Sequence, residues 1–155
     1  MPVSSLPSPY GIGTLGAEAR KFADFLAAGG QSCWQLLPVG PTSYGDSPYQ
    51  SFSSFAGNPY FIDLDDLAAD GLLERAEYGD MDWGGPDRVD YALLYEKRYP
   101  VLRKAVERLL AAPPADYAPF LEDNGDWLED YCANYVAREH KAEVFAHLNP
   151  EALRR

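Results

Sequence analysis

A long segment in the first half of the chain, residues 40–58, can form neither a regular helix nor a regular strand. Its glycines and prolines interrupt both kinds of backbone pairing, and its side chains follow no helical or alternating period. The segment nevertheless carries aromatic side chains at Tyr44, Tyr49, Phe52 and Phe55. A solvated connector would not carry them, because exposed rings gain nothing in water. This aromatic loop therefore predicts a surface for a ligand with apolar and hydroxyl faces, such as a carbohydrate, the alternative being a loop packed on itself.

The composition limits the classes of partner. The chain has 155 residues, the length of one domain, and its 13 basic and 24 acidic residues give a formal charge of −11. An excess of acid argues against nucleic acids and anionic membranes, which bind through lysine and arginine. No apolar stretch approaches the roughly 18 residues of a membrane span, and the first residues lack the pattern of a signal peptide. We therefore expect a cytoplasmic protein with no nucleic-acid or membrane partner.

The first 40 residues suggest an α/β fold. Thr14 can cap a helix over residues 15–28, and Gly29 and Gly30 can stop it. An apolar stripe at helical spacing supports this helix: Leu15, Ala19, Phe22, Ala23 and Leu26. The apolar run at 33–39 predicts a buried strand of a parallel sheet, so that helix and strand form half of a βαβ unit.

The remainder of the chain is predicted to be mostly helical. Asp63 can cap a short helix that stops at Gly71. A helical stripe extends over residues 91–110, with Pro100 expected to kink or break it, and a further amphipathic helix is predicted over 126–136.

These patterns divide the sequence into three parts. Residues 1–40 form the first helical unit and its following strand, residues 41–90 the aromatic loop and an insertion, and residues 91–155 a helical subdomain.

The sequence does not predict a cofactor or metal site. The glycines at 11, 13 and 16 match the dinucleotide motif G-x-G-x-x-G, but Ser8-Pro9-Tyr10 cannot form the strand that must precede it. A tight turn into the helix is the better interpretation. His140 and His147 lack the spacing of metal ligands and are predicted to be solvated on a helix surface.

Two cysteines stand far apart in the sequence. Cys33 and Cys132 occur in an apolar run and in a helical pattern, and are predicted to be reduced residues of the core.

Asp46 is the one carboxylate within the aromatic loop, and two roles remain open for it. It could form an Asx turn with the amides of Ser47 to Tyr49, or it could accept hydrogen bonds from ligand hydroxyls. A glycosidase needs two carboxylates across the scissile bond, and no second one is convincingly placed. We therefore predict no catalytic residue in this chain.

Three motifs resemble a known family. Residues 4–16, 34–41 and 44–60, and above all Gly-Asp-Ser-Pro-Tyr-Gln at 45–50, are similar to the 4-α-glucanotransferases of glycoside hydrolase family 77, the amylomaltases or disproportionating enzymes. The resemblance covers residues 3–136. It implies a (β/α)8 barrel, of which this chain would supply the N-terminal portion, with a mostly helical inserted subdomain.

The resemblance also implies a reaction and its ligands. The family transfers α-1,4-glucan segments between maltooligosaccharides by a retaining double displacement without a cofactor. By residue, it implies that Tyr49 lies beside the reacting sugar and that Tyr44 and Tyr95 lie in an outer glucan groove. Asp46 and Ser47 would shape the loop or contact sugar hydroxyls.

The chain also departs from the family pattern. Family members are several times longer, and the resemblance puts their catalytic carboxylates beyond residue 155. An N-terminal fragment without activity is therefore expected, and the alternative is a non-catalytic glucan-binding module.

Overall fold

The computed structural model describes residues 1–42 and 45–135, which form two compact units divided after Pro113. The first unit contains the helices α1 (Ala17–Ala28), α2 (Leu64–Ala69) and α3 (Tyr91–Ala111). Short 3-10 turns occur at Val3–Ser5, Pro48–Gln50, Pro59–Phe61 and Arg75–Glu77. The second unit contains α4 (Tyr117–Asp123) and a helical stretch over 125–135.

The strand predicted over residues 33–39 is not present, and the described residues contain no strand at all. Leu36, Leu37 and Val39 are exposed. The apolar run meets the side-chain requirement of a buried strand, but a strand also needs a neighbour for its N–H and C=O groups. No such neighbour occurs among the described residues, so the α/β prediction is corrected to a helical architecture for this part of the chain.

Helix α1 begins at Ala17 rather than at residue 15, because Thr14 does not cap it. The Thr14 hydroxyl instead donates a hydrogen bond to the carboxylate of Asp63, and the N-cap position is Gly16. A Cβ atom at Gly16 would overlap the Asp63 side chain, so only glycine allows this close approach. The predicted stop is confirmed, since α1 ends at Ala28 and Gly30 has a φ of 75°.

Helix α2 confirms the cap predicted for Asp63. Its carboxylate accepts hydrogen bonds from the backbone N–H groups of Asp65 and Asp66, both at 3.0 Å. These bonds satisfy donors that the first turn of a helix otherwise leaves unpaired. Because the same side chain also bonds Thr14, Asp63 fixes the start of α2 and the entry to α1 together.

The core of the first unit joins the N-terminal segment, residues 60–83 and α3. Its buried members are Tyr10, Ile12, Tyr60, Leu64, Leu73, Tyr78, Trp83, Leu94, Val101, Leu102 and Ala105. Pro100 does not break α3, which is continuous from Tyr91 to Ala111. Val101 and Leu102, directly after the proline, are buried. Their packing holds the helix together where one backbone hydrogen bond is missing.

Arg98 lies fully buried in this unit and connects its segments. Its guanidinium donates to the carbonyl oxygens of Tyr10 and Ile62, at 3.4 and 2.6 Å, and lies over the ring of Trp83. Burial lowers the pKa of Arg98 to about 10, so it remains protonated at neutral pH. Arg98 therefore holds two segments against α3, the N-terminal segment at Tyr10 and the segment after the aromatic loop at Ile62.

Asp65 organises a second polar contact in this unit. One of its oxygens accepts hydrogen bonds from the phenols of Tyr10 and Tyr78, both at 2.7 Å, and from Arg75 at 2.9 Å. Burial and the hydrogen bond to Asp65 raise the pKa of Tyr78 to about 12 and also raise the pKa of Tyr10. Both phenols therefore remain neutral donors at physiological pH.

The cysteine prediction is only partly confirmed. Cys33 and Cys132 are free, but both are exposed, so their predicted burial is wrong. For Cys33 the reason is the missing strand. His140 and His147 lie outside the described residues. None of the described helices combines the length and the apolar character that crossing a bilayer requires.

The second unit is held by aromatic side chains at helical spacing. The rings of Trp127 and Tyr131 are 6.1 Å apart, and those of Tyr131 and Tyr135 are also 6.1 Å apart. The indole N–H of Trp127 donates to the side-chain oxygen of Asn124 at 3.0 Å. Residues 126–135 are helical, which confirms the predicted helix over the part of 126–136 that the structure describes. The three-part division of the sequence stays a prediction.

Candidate functional site

The aromatic loop is closed at its base by Asn58. The backbone N–H of Asn58 donates to the carbonyl of Val39 at 2.8 Å, which joins the two ends of the loop. The Asn58 side chain is 7% exposed and accepts a hydrogen bond from the backbone N–H of Tyr60 at 2.9 Å. One buried residue therefore fixes both the closure of the loop and the turn that follows it.

Serine hydroxyls set the shape of the loop from within. The Ser51 hydroxyl donates to the carbonyl of Ser53 at 2.7 Å. The Ser53 hydroxyl accepts from the backbone N–H groups of Phe55 and Ala56, at 3.2 and 3.0 Å. Since these bonds satisfy backbone groups that no helix or strand pairs, residues 51–56 of the loop have a defined shape.

Ser47 forms the turn that presents Tyr49. Its side chain accepts from the backbone N–H of Tyr49 at 3.4 Å and caps the 3-10 turn Pro48–Gln50. The sequence left an Asx turn at Asp46 as one possibility, but Ser47 makes this contact instead. The ring of Tyr49 is 73% exposed, although its backbone is held in place.

Asp46 has an uncommon backbone conformation. Its φ of 54° makes it the single non-glycine residue with a positive φ in the described part of the chain. Its side chain is half-buried and lines a cavity of about 110 Å³ that Asn58 and Tyr91 also line. Burial raises the pKa of the Asp46 carboxyl above its usual value.

A row of tyrosines extends from this cavity to the surface of α3. The ring of Tyr60 lies 6.0 Å from Tyr91 and 5.7 Å from Tyr99, and Tyr99 lies 5.3 Å from Tyr95. Tyr60 is buried, whereas Tyr95 is 57% exposed. The sequence prediction named only Tyr95 in this row. The spacing of four residues between 91, 95 and 99, which places the rings on one helix face, could have identified the others.

The predicted site residues thus fall on two elements. Asp46, Ser47 and Tyr49 lie together in the aromatic loop, and Tyr95 lies on α3. The shared cavity of Asp46 and Tyr91 connects the loop with the first turn of that helix. Tyr44 lies outside the described residues.

The glycine motif has an internal function. A Cβ atom at Gly13 would lie 2.7 Å from the backbone nitrogen of Leu6, and a Cβ at Gly16 would overlap Asp63. The space that these glycines leave is therefore filled by the chain itself. This supports the interpretation as a tight turn over that of a dinucleotide site.

The arrangement is suited to binding. Exposed rings such as that of Tyr49 can stack on the apolar face of a sugar. The Asp46 carboxylate and nearby hydroxyl and amide groups can bond its rim.

Comparison with known proteins gives a consistent result. The sequence model of glycoside hydrolase family 77, described as 4-alpha-glucanotransferase, matches residues 1–155. The 4-alpha-glucanotransferase of Clostridium butyricum is 50% identical over 142 residues, which cover 91% of this chain and 29% of that protein. The 4-alpha-glucanotransferase of Thermus thermophilus is 52% identical over 133 residues, 83% of this chain and 26% of that protein.

A solved structure agrees with these relatives. The amylomaltase from Streptococcus agalactiae in complex with acarbose superposes with a TM-score of 0.84 at 45% identity, over 90% of this chain and 29% of that one. The chain thus spans less than a third of the length of these relatives. On the match of the family model and the identity to its members, the chain belongs to the 4-alpha-glucanotransferases of glycoside hydrolase family 77.

Proposed function

We propose that this chain is the N-terminal part of an enzyme that transfers α-1,4-glucan segments between maltooligosaccharides by a retaining double displacement. The aromatic loop supplies part of the wall that binds the glucan. Family membership supports the reaction, and the small share of the relatives' length supports the assignment as a part.

The observation that carries the proposal is the exposure of Tyr49. A ring that is 73% exposed gains nothing from burial, yet a capped turn holds the backbone of this residue in place. Ordering a side chain before binding lowers the entropy that binding costs. The face of a glucose ring is apolar while its rim is hydroxylated, so a phenol ring presented from an ordered backbone suits it.

The residues have distinct proposed roles. Tyr49 stacks on a sugar beside the reacting bond, and Tyr44 and Tyr95 line an outer groove for the rest of the glucan. Asp46 accepts hydrogen bonds from sugar hydroxyls, and Ser47 shapes the turn between Asp46 and Tyr49.

The remainder of the fold is proposed to be a (β/α)8 barrel. In the complete enzyme, residues 33–39 become one strand of that barrel, and neighbouring strands cover Leu36, Leu37 and Val39. The exposure of these three side chains supports this, because an apolar row of this kind is normally buried.

The chemistry of transfer requires a nucleophile and a general acid. We place both outside residues 1–155, so this chain alone does not turn over substrate.

Incubation with maltotriose tests the proposal. The complete polypeptide that carries this chain should release glucose and form maltopentaose, and the 155-residue chain should form neither. If the complete polypeptide leaves maltotriose unchanged, the proposed reaction is wrong. If the 155-residue chain alone releases glucose, the placement of the catalytic carboxylates is wrong.

A non-catalytic glucan-binding module is the second candidate. The buried cluster of the first unit favours it, because this core is assembled from helices and turns that all lie within residues 1–113. Binding of maltoheptaose by the chain, together with no transfer by any longer product of the same gene, would support the module.

A further inference from the structure

The cavity between the aromatic loop and α3 is lined by several polar side chains among the described residues, those of Ser4, Thr42, Asp46, Asn58 and Tyr91. Most of its wall is apolar, with Ile12, Pro38 and Phe61 among its members. Asp46 contributes a carboxylate and Tyr91 a phenol, and they come from different elements. In an apolar cavity, a few polar groups determine which ligand group fits.

Two features distinguish Asp46, its backbone conformation and the environment of its carboxylate. A φ of 54° is uncommon for a non-glycine residue, although aspartate adopts it more readily than most. Its carboxylate is partly desolvated, and no described residue donates a hydrogen bond to it. The carboxylate is therefore open to a hydrogen-bond donor from outside the described residues.

Tyr91 contributes a hydrogen-bond donor to the wall of the same cavity. Burial, followed by the negative charge of Asp46, raises the pKa of the Tyr91 phenol. The phenol therefore remains protonated at neutral pH and keeps its O–H available as a donor. The ring of Tyr91 packs near that of Tyr60, with the ring centres 6.0 Å apart. Tyr91 also begins α3, whose first turn is capped by Asp90: its carboxylate accepts a hydrogen bond from the backbone N–H of Leu93 at 3.0 Å.

We infer that Tyr91 and Asp46 together recognise one hydroxyl group of the bound glucan: the phenol donates to the hydroxyl oxygen, and the carboxylate accepts its proton. This inference rests on the proposed function and adds Tyr91 as a specificity-determining residue.

The chemistry of the pair favours a neutral hydroxyl over an ion. A hydroxyl both donates and accepts, and therefore satisfies the two groups at once. Divalent cations such as Ca²⁺ need six or more oxygen ligands, whereas this cavity has a single carboxylate. An anion would be repelled by Asp46.

The test pairs a change in the protein with a change in the ligand. In the complete enzyme, kcat/KM is measured for maltotriose and for the set of monodeoxy maltotrioses, each lacking one hydroxyl. The wild type should discriminate about tenfold against one of these analogues, the loss expected for a hydrogen bond to a charged group. Tyr91→Phe and Asp46→Asn should each lose most of that discrimination while keeping the smaller effects of the other analogues.

The variants are chosen to keep the fold. Tyr91→Phe removes only the hydroxyl, and asparagine tolerates the left-handed backbone of position 46. Tyr78→Phe is the matched control, because it removes a phenol hydroxyl that bonds Asp65 within the core. It should lower the melting temperature and leave the discrimination at its wild-type value.

Two outcomes contradict the inference in distinguishable ways. If the wild type transfers glucan and Tyr91→Phe discriminates among the analogues as the wild type does, the inference alone is wrong. If the wild type transfers no glucan, the proposed function is wrong and the inference fails with it.

Discussion

At the scale of single residues, the fold depends on close approaches that leave no room for a side chain. Gly16 shows this most clearly, because the Asp63 carboxylate reaches Thr14 through the space in which a Cβ would lie. One missing methyl group thus allows the start of α1 and the start of α2 to share a hydrogen-bonded carboxylate.

The substitution Gly16→Ala tests this contact. It should lower the free energy of unfolding by about 1–3 kcal/mol, the usual effect of overpacking. Urea denaturation measures the loss. Gly85→Ala is the control, since no atom lies within 4 Å of a Cβ at that position. Equal stability of the two variants would contradict the role of Gly16.

Tyr49 is the residue on which the binding proposal depends most. Tyr49→Ala should lower kcat/KM for transfer from maltotriose about tenfold in the complete enzyme, the magnitude of a lost aromatic contact. Tyr44→Ala should have a smaller effect on this short donor, because the outer groove contacts longer chains. Tyr49→Phe keeps the ring and should retain most of the activity.

Equal losses for Tyr49→Ala and Tyr44→Ala on maltotriose would contradict the separate roles.

At the scale of elements, the sequence predicted what local signals determine. The Gly29–Gly30 stop and the Asp63 cap were predictable because each depends on a few neighbouring residues. The continuity of α3 through Pro100 was not, since it depends on the burial of Val101 and Leu102 by distant parts of the chain.

The candidate site shows the same division. The aromatic loop could be recognised from its composition, and Asp46 and Tyr49 from their motif. Which side chain forms the turn could be decided only from coordinates, because the oxygens of Asp46 and Ser47 can each accept a hydrogen bond from a backbone N–H in such a turn. The cavity shared by Asp46 and Tyr91 is a contact between residues far apart in sequence, which no local pattern reveals.

Glu77 connects the 3-10 turn Arg75–Glu77 to α3. Its carboxylate accepts hydrogen bonds from the two terminal guanidinium nitrogens of Arg108, at 2.6 and 3.1 Å. It also accepts one from the backbone N–H of Glu74. The Arg108 guanidinium, followed by the bond from Glu74, lowers the pKa of Glu77 to about 2.

This shift predicts a loss of stability in acid. The pKa of Glu77 is lower in the folded state than its usual value of 4.5. The stabilisation is therefore complete above that value and disappears as the pH falls towards 2. Glu77→Gln should lower the free energy of unfolding at pH 7 and flatten its dependence between pH 5 and 2, as measured by urea denaturation at each pH. A variant with the slope of the wild type in that window would contradict this account.

At the scale of the whole molecule, the run at 33–39 links the described structure to the proposed barrel. Backbone N–H groups without a partner exchange with solvent quickly, whereas those in a central strand are protected. The amides of these residues should exchange quickly in the 155-residue chain and slowly in the complete enzyme. Hydrogen exchange followed by mass spectrometry measures both, and residues 17–28 of α1 serve as the reference in each. Equal exchange of the run in the two proteins would contradict the barrel.

The central claim is that the aromatic loop and α3 present tyrosine rings to the apolar face of glucose units. Titration of maltoheptaose into the complete enzyme, followed by NMR of the aromatic side chains, tests it most directly. The ring signals of Tyr49 and Tyr95 should shift progressively as maltoheptaose is added, until binding is saturated. The signal of Tyr78, which is buried and donates a hydrogen bond to Asp65, should not change. If the signals of Tyr49 and Tyr95 do not move at saturating maltoheptaose, the claim is wrong.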